Sequence, residues 1–151
     1  MHIFWGVILI IFTLVVCWLG QTISALSPKF AVKLGLAERE SEVDSAFYAD
    51  VRGEAIWDSL ILWTLPVAGI LLKINNGLWA YFGLVGGGSY LYFAGRGIAT
   101  RLVMQRRGIR IGTPGTLKLF YVFLTLWALI AIVTIIMAIS ALPLNVANLR
   151  T

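Results

Sequence analysis

The sequence predicts an all-α integral membrane protein, a bundle of four transmembrane helices in one domain, 1–151, with both termini on the non-cytoplasmic side. Three observations predict it. Of 151 residues, 60% are hydrophobic and only 13% are charged, and the mean hydropathy is +0.90; a soluble domain carries about 25% charged residues. The apolar residues gather into four runs of membrane-spanning length. The basic residues, which make the net charge +5, crowd into two of the connections between those runs.

The first span, 3–26, lies in a stretch with no Asp, Glu, Lys or Arg before Lys29, and Ile3 to Gly20 is nearly continuous apolar sequence. Its start lacks the Lys or Arg of a secretory leader and its apolar run exceeds a leader's usual length of about 7–15 residues, so it is expected to be retained. Pro28 closes it. The connection 27–54 follows, and its run Glu38-Arg39-Glu40-Ser41-Glu42-Val43-Asp44 reads as a solvated loop with no site.

Asp50, Glu54 and Asp58 are different, because a spacing of four stacks them on one helix face. If a helix runs from Val43 into the second span, Val43, Phe47 and Val51 share that sector, as they would on a face turned toward protein. Gly53 is the position expected to threaten such a helix. The three carboxylates repel one another, and the basic residues of the later connection, Arg96 and Arg101 first among them, are the expected counter-ions.

The second span, 55–74, carries Asp58 and Pro66. Fourteen uncharged residues separate Asp58 from Lys73, about 21 Å of helix in a hydrocarbon core about 30 Å thick. Asp58 is therefore expected at or just inside the cytoplasmic boundary, paired with Arg96 or Arg101 to offset the cost of its burial. Asn75-Asn76-Gly77 is turn sequence, which makes the second and third spans an antiparallel hairpin.

The third span, 78–97, contains Gly83-Leu84-Val85-Gly86-Gly87-Gly88-Ser89-Tyr90. The run has no Gly-Lys-Ser/Thr ending and Leu91 stands where a third dinucleotide-loop glycine belongs, so it is not a phosphate loop. On a helix, Gly83, Gly86, Gly87, Tyr90, Ala94 and Gly97 fall in one sector and read as a packing seam, toward another span or another copy of the chain. Tyr90 is the polar group expected inside the bundle, whereas Trp5, Trp57, Trp79 and Tyr121 fit interfacial belts. The connection 98–116, punctuated by Gly108, Gly112, Pro114 and Gly115, leads into the fourth span, 117–142.

Ten of the twelve basic residues lie between 27 and 54 or between 96 and 118, with only Lys73 and Arg150 on the opposite side. Basic loops stay cytoplasmic, which places the two long connections inside and both termini outside. Arg96, Arg101, Arg106, Arg107 and Arg110 form a basic patch suited to anionic lipid headgroups.

No catalytic residue, cofactor or metal ligand is expected. His2 and Cys17 are each single in the chain, too few for zinc or haem without a second copy, and Cys17 reads as a buried small apolar residue. The apolar excess excludes a basic nucleic-acid binder. The function expected first is that of a non-enzymatic accessory or structural subunit of a membrane, the bacterial inner membrane by size, whose charged connections pair with each other, with a partner membrane protein or with anionic lipid. A homo-oligomer fits the same composition. The alternative is a small transporter or channel for a proton, cation or small solute, using the acids at the start of the second span. A metal-dependent enzyme on lipid or phosphate substrates ranks third.

Overall fold

The computed structural model describes residues 2–142; the side chain of His2 and residues 143–151, with Arg150 of the charge count, lie outside the described residues. Among the described residues every regular element is helical and no strand occurs. Helix α1 (His2–Leu9), a π-helical segment (Ile10–Trp18) and α2 (Leu19–Leu26) follow one another without interruption. Ser27 leaves the helical region at φ −143°, ψ 77°, as the residue before a proline must, and α3 (Pro28–Lys33) starts on Pro28.

Helix α4 (Ser45–Ile61) begins ten residues before the expected boundary at Ala55, so part of the expected connection 27–54 is helix. Gly53 does not break it, because the turns on either side keep their hydrogen bonds. The interruption comes instead at Leu62 and Trp63, ahead of α5 (Thr64–Lys73). Pro66 explains it: the ring has no N–H for the carbonyl of Leu62 and crowds that carbonyl.

The hairpin turn after α5 is a Schellman closure. Asn75 adopts φ +56°, its N–H bonds the carbonyl of Leu72, and the Asn76 N–H reaches back to Leu71. Helix α6 (Trp79–Arg106) runs past the expected end at 97, and α7 (Pro114–Ala141) starts where Thr113 Oγ1 accepts the N–H of Thr116 at 3.3 Å.

Among the described residues three stretches are helices long and apolar enough to cross a membrane: Ile3–Leu26, Ser45–Lys73 and Pro114–Ala141. Helix α6 has the length, 28 residues, but not the apolar character expected of a fourth span. Its position accounts for this. It packs between α5 and α7 and touches α4, while α1 lies along α5 and α2 along α4, and glycines on its buried side let these neighbours come close.

The expected seam on α6 serves two neighbours. A Cβ at Gly86 would stand 2.5 Å from the backbone nitrogen of Leu65 on α5, and one at Gly87 2.6 Å from Ile135 Cγ1 on α7. Gly83 faces Thr134 and Ala138 of α7, and Ala94 is fully buried. A second close approach, unmarked in the sequence, joins Gly6 on α1 to Gly69 on α5, where an added Cβ at Gly69 would meet Leu9 Cβ at 2.8 Å. The core between the helices is filled by Leu9, Leu62, Leu65, Phe93, Leu124 and Trp127, with the Phe93 and Trp127 rings 5.7 Å apart.

Candidate functional site

The charged residues meet at one end of the helices, where α4 and α6 run side by side. Arg96, on α6, forks between two carboxylates of α4: one nitrogen lies 2.5 Å from Asp50 Oδ1 and the other 2.8 Å from Glu54 Oε1. One turn separates the two acids, and a guanidinium spans that spacing with its parallel N–H groups. The Glu54 side chain is 8% exposed, against 26% for Asp50 and 30% for Arg96, so Glu54 depends most on the pair.

Asp58, one turn further along α4, is only 4% exposed, and its Oδ2 has no hydrogen-bond partner. The ion pair expected between it and Arg96 or Arg101 is absent, because Arg96 is spent on Asp50 and Glu54. Arg101 is buried too, but among aromatics. Its guanidinium lies 5.0 Å from the centre of the Phe120 ring and 5.6 Å from that of Phe47, and it donates to the Gly97 carbonyl at 3.1 Å. Cation–π contact and a helix carbonyl there take the place of a bonded carboxylate, and Glu54 and Glu38 interact with the guanidinium from further off.

A cavity of about 160 Å³ opens beside Asp58, lined by Glu54, Trp57, Tyr92, Phe93 and Arg96. Trp57 and Tyr92 are largely exposed and frame its mouth, while Phe93 belongs to the core behind it. The sequence marked Trp57 as a belt residue and gave Tyr92 no role; only the alignment of α4 with α6 brings both to one carboxylate.

Tyr90 is fully buried and donates its hydroxyl to the carbonyl of Thr13, 2.9 Å away in the π-helical segment. Other indoles fasten the same strand of chain. Trp127 donates to the Phe12 carbonyl at 3.0 Å, Trp18 to the Ser59 carbonyl at 2.9 Å, and Trp5 to Thr134 Oγ1 at 3.1 Å. Trp5 bonds a neighbouring helix, and Trp79 is 6% exposed, so both rings turn toward protein. The signal available in the sequence was an indole or hydroxyl at a helical register that faces a neighbour, and that register depends on which helices are neighbours.

The two long connections also touch. The Asp44 N–H bonds the carbonyl of Arg110 at 2.8 Å and its carboxylate accepts the Arg110 N–H. Val43, Phe47 and Ile111 bury one another beneath that junction. The acidic run is accordingly not a wholly solvated loop. Glu38 is half-buried against Gly112, and burial pushes its carboxyl above the ordinary carboxylate range, with Arg101 acting in the opposite sense. Arg52 turns the other way, donating to the carbonyls of Ser24 and Ala25 that end α2. A larger cavity, about 660 Å³, lies between α2, α3 and α4 with Lys29, Lys33 and Arg52 on its wall.

Chemically, the Arg96 fork is an electrostatic fastening between α4 and α6, and Asp58 is a buried acceptor without an ion-pair partner, in the wall of a small cavity. Among the described residues no three His, Cys, Asp or Glu side chains converge as a metal site. Compared with protein-family models, with curated proteins and with solved structures, the chain matches none.

Proposed function

We propose that this chain is a small multi-pass membrane protein, a four-helix bundle with both termini on the non-cytoplasmic side, acting without catalysis as an accessory or structural subunit. The Arg96 fork carries the reading. Its ion pairs join α4 to α6 at 2.5 and 2.8 Å, so a base partly buried between the helices serves to hold them together. Helix α6 is the fourth span, its Gly83, Gly86, Gly87 and Tyr90 tolerated because neighbouring helices cover them. The glycine contacts lie within the chain, so the reading does not rest on a second copy. Exposed Arg106, Arg107, Arg110 and Lys118 lie on the cytoplasmic face toward anionic headgroups or a partner's acidic surface, in the inner membrane of a bacterium.

Reconstitution tests this. The wild-type protein in liposomes is expected to move no proton, cation or small solute, and purification in native lipid discs is expected to retain a membrane partner in fixed stoichiometry. Solute flux abolished by Asp58→Asn overturns it in favour of the second reading, a transporter or channel. That reading has one observation of its own, the buried unpartnered oxygen of Asp58.

A further inference from the structure

We infer that the cavity beside Asp58 is a binding site for an ammonium group, presented either by a phosphatidylethanolamine headgroup or by a free amine. The inference rests on α4 and α6 lying in the membrane, and on nothing about transport.

Charge comes first. Two guanidiniums stand against three carboxylates, those of Asp50, Glu54 and Asp58: Arg96 bonds the first two, and Arg101 acts on Glu54 from further off, which leaves one negative charge over. Asp58 is left 4% exposed with Oδ2 unbonded, and it lines the cavity. Buried ionised groups are compensated by an opposite charge or hydrogen-bond donors; the cavity that Asp58 lines is where such a group is missing.

The walls then select its chemistry. A bare metal ion asks for several oxygen, nitrogen or sulfur ligands, and among the described residues no three acidic, His or Cys side chains gather. The cavity wall holds the Glu54–Arg96 ion pair, the Asp58 carboxyl, which has no ion-pair partner, and the rings of Trp57, Tyr92 and Phe93. Aromatic faces and a carboxylate together recognise an organic cation, which keeps N–H donors for the oxygen and gains from the ring quadrupoles. The volume, about 160 Å³, equals about five waters, enough for an aminoethyl group and too little for a large amphiphile.

Access decides the sources. Trp57 and Tyr92, 58% and 63% exposed, stand at the outer surface between α4 and α6, so the mouth opens sideways toward the headgroup layer. A lipid ammonium enters there from the bilayer, and a free amine enters from water.

The test uses the full-length protein in detergent and in discs. Native mass spectrometry with matched acyl chains is expected to show phosphatidylethanolamine retained as a one-to-one adduct about fivefold over phosphatidylcholine and phosphatidylglycerol. In parallel, methylammonium chloride is expected to raise the unfolding temperature above that in potassium chloride of equal ionic strength. A lipid effect alone assigns the headgroup, a methylammonium effect alone assigns a free amine, and both support the ammonium site. Asp58→Asn, nearly isosteric, is expected to abolish whichever effect is seen, and Trp57→Leu, which removes no charge, to weaken it about threefold. Should Asp58→Asn fail to fold, Trp57→Leu decides. Equal effects of potassium and methylammonium with no lipid preference, or a preference untouched by the variants that fold, overturn the site. Loss of the site would leave the subunit and transport readings intact, since flux and partner retention are read separately.

Discussion

Arg96 illustrates how a single side chain decides the cost of its neighbours. Glu54 is nearly enclosed, and without the guanidinium its carboxylate has no compensating charge at hydrogen-bond distance. Arg96→Ala is therefore expected to destabilise by about 1–3 kcal/mol, less than the 3–5 typical of a fully buried pair because Arg96 keeps 30% of its surface in contact with solvent. Adding Glu54→Gln to Arg96→Ala is expected to recover part of the loss, and denaturant unfolding in micelles measures both. Glu38 gives the opposite sign. Its burial holds the folded carboxyl above its unfolded value, so the folded state binds the proton more tightly and stability falls as pH rises through that window. Glu38→Gln is expected to raise the unfolding temperature at pH 7, with the gain vanishing below about pH 4, where both states are protonated. A gain that persists at pH 3 would show that charge is not the cause.

Helix contact sets the next scale. Where α5 and α6 cross at Gly86, the neighbour of an added methyl would be the backbone nitrogen of Leu65, which no rotamer change can move aside. Gly86→Ala is expected to cost about 1–3 kcal/mol as the helices are forced apart. Gly88, two residues on, has nothing within 4 Å of its Cβ position; Gly88→Ala is expected to be neutral or stabilising by up to about 1 kcal/mol through helix propensity. The contrast, read in the same unfolding assay, separates packing glycines from incidental ones. The π-helical segment has the same interlocking character. Its carbonyls of Phe12 and Thr13 receive Trp127 and Tyr90 from two other helices, and π turns are uncommon enough that such contacts bear on their persistence.

Across the whole molecule, the orientation and the fourth span form one testable statement. In a Cys17→Ala background, Gly77→Cys and Arg107→Cys stand at opposite ends of α6; a membrane-impermeant thiol reagent applied to intact cells is expected to label the first and spare the second. Labelling of both from one side would remove α6 from the membrane. The length and apolar character of three spans, the hairpin turn at Asn75 to Gly77 and the approach of the charged residues of α4 to those of α6 were all readable from the amino-acid order. Hydropathy, turn chemistry and a four-residue period are local properties that survive in any packing. The start of α4 at Ser45 was readable only as one option, a helix from Val43 on the period of Val43, Phe47 and Val51; what holds it is the packing of Phe47 and Val43 on Ile111, a residue of the other connection. Nor was the partner of Arg96: spacing placed three acids on one face, but only the register between α4 and α6 chose Asp50 and Glu54 and left Asp58 facing a cavity. The sequence by itself determined which residues must leave water and which stretches between the apolar runs carry the charge. The tertiary structure decided which charge meets which, because an offset of one helical turn, about 5.4 Å, exceeds the reach of a hydrogen bond.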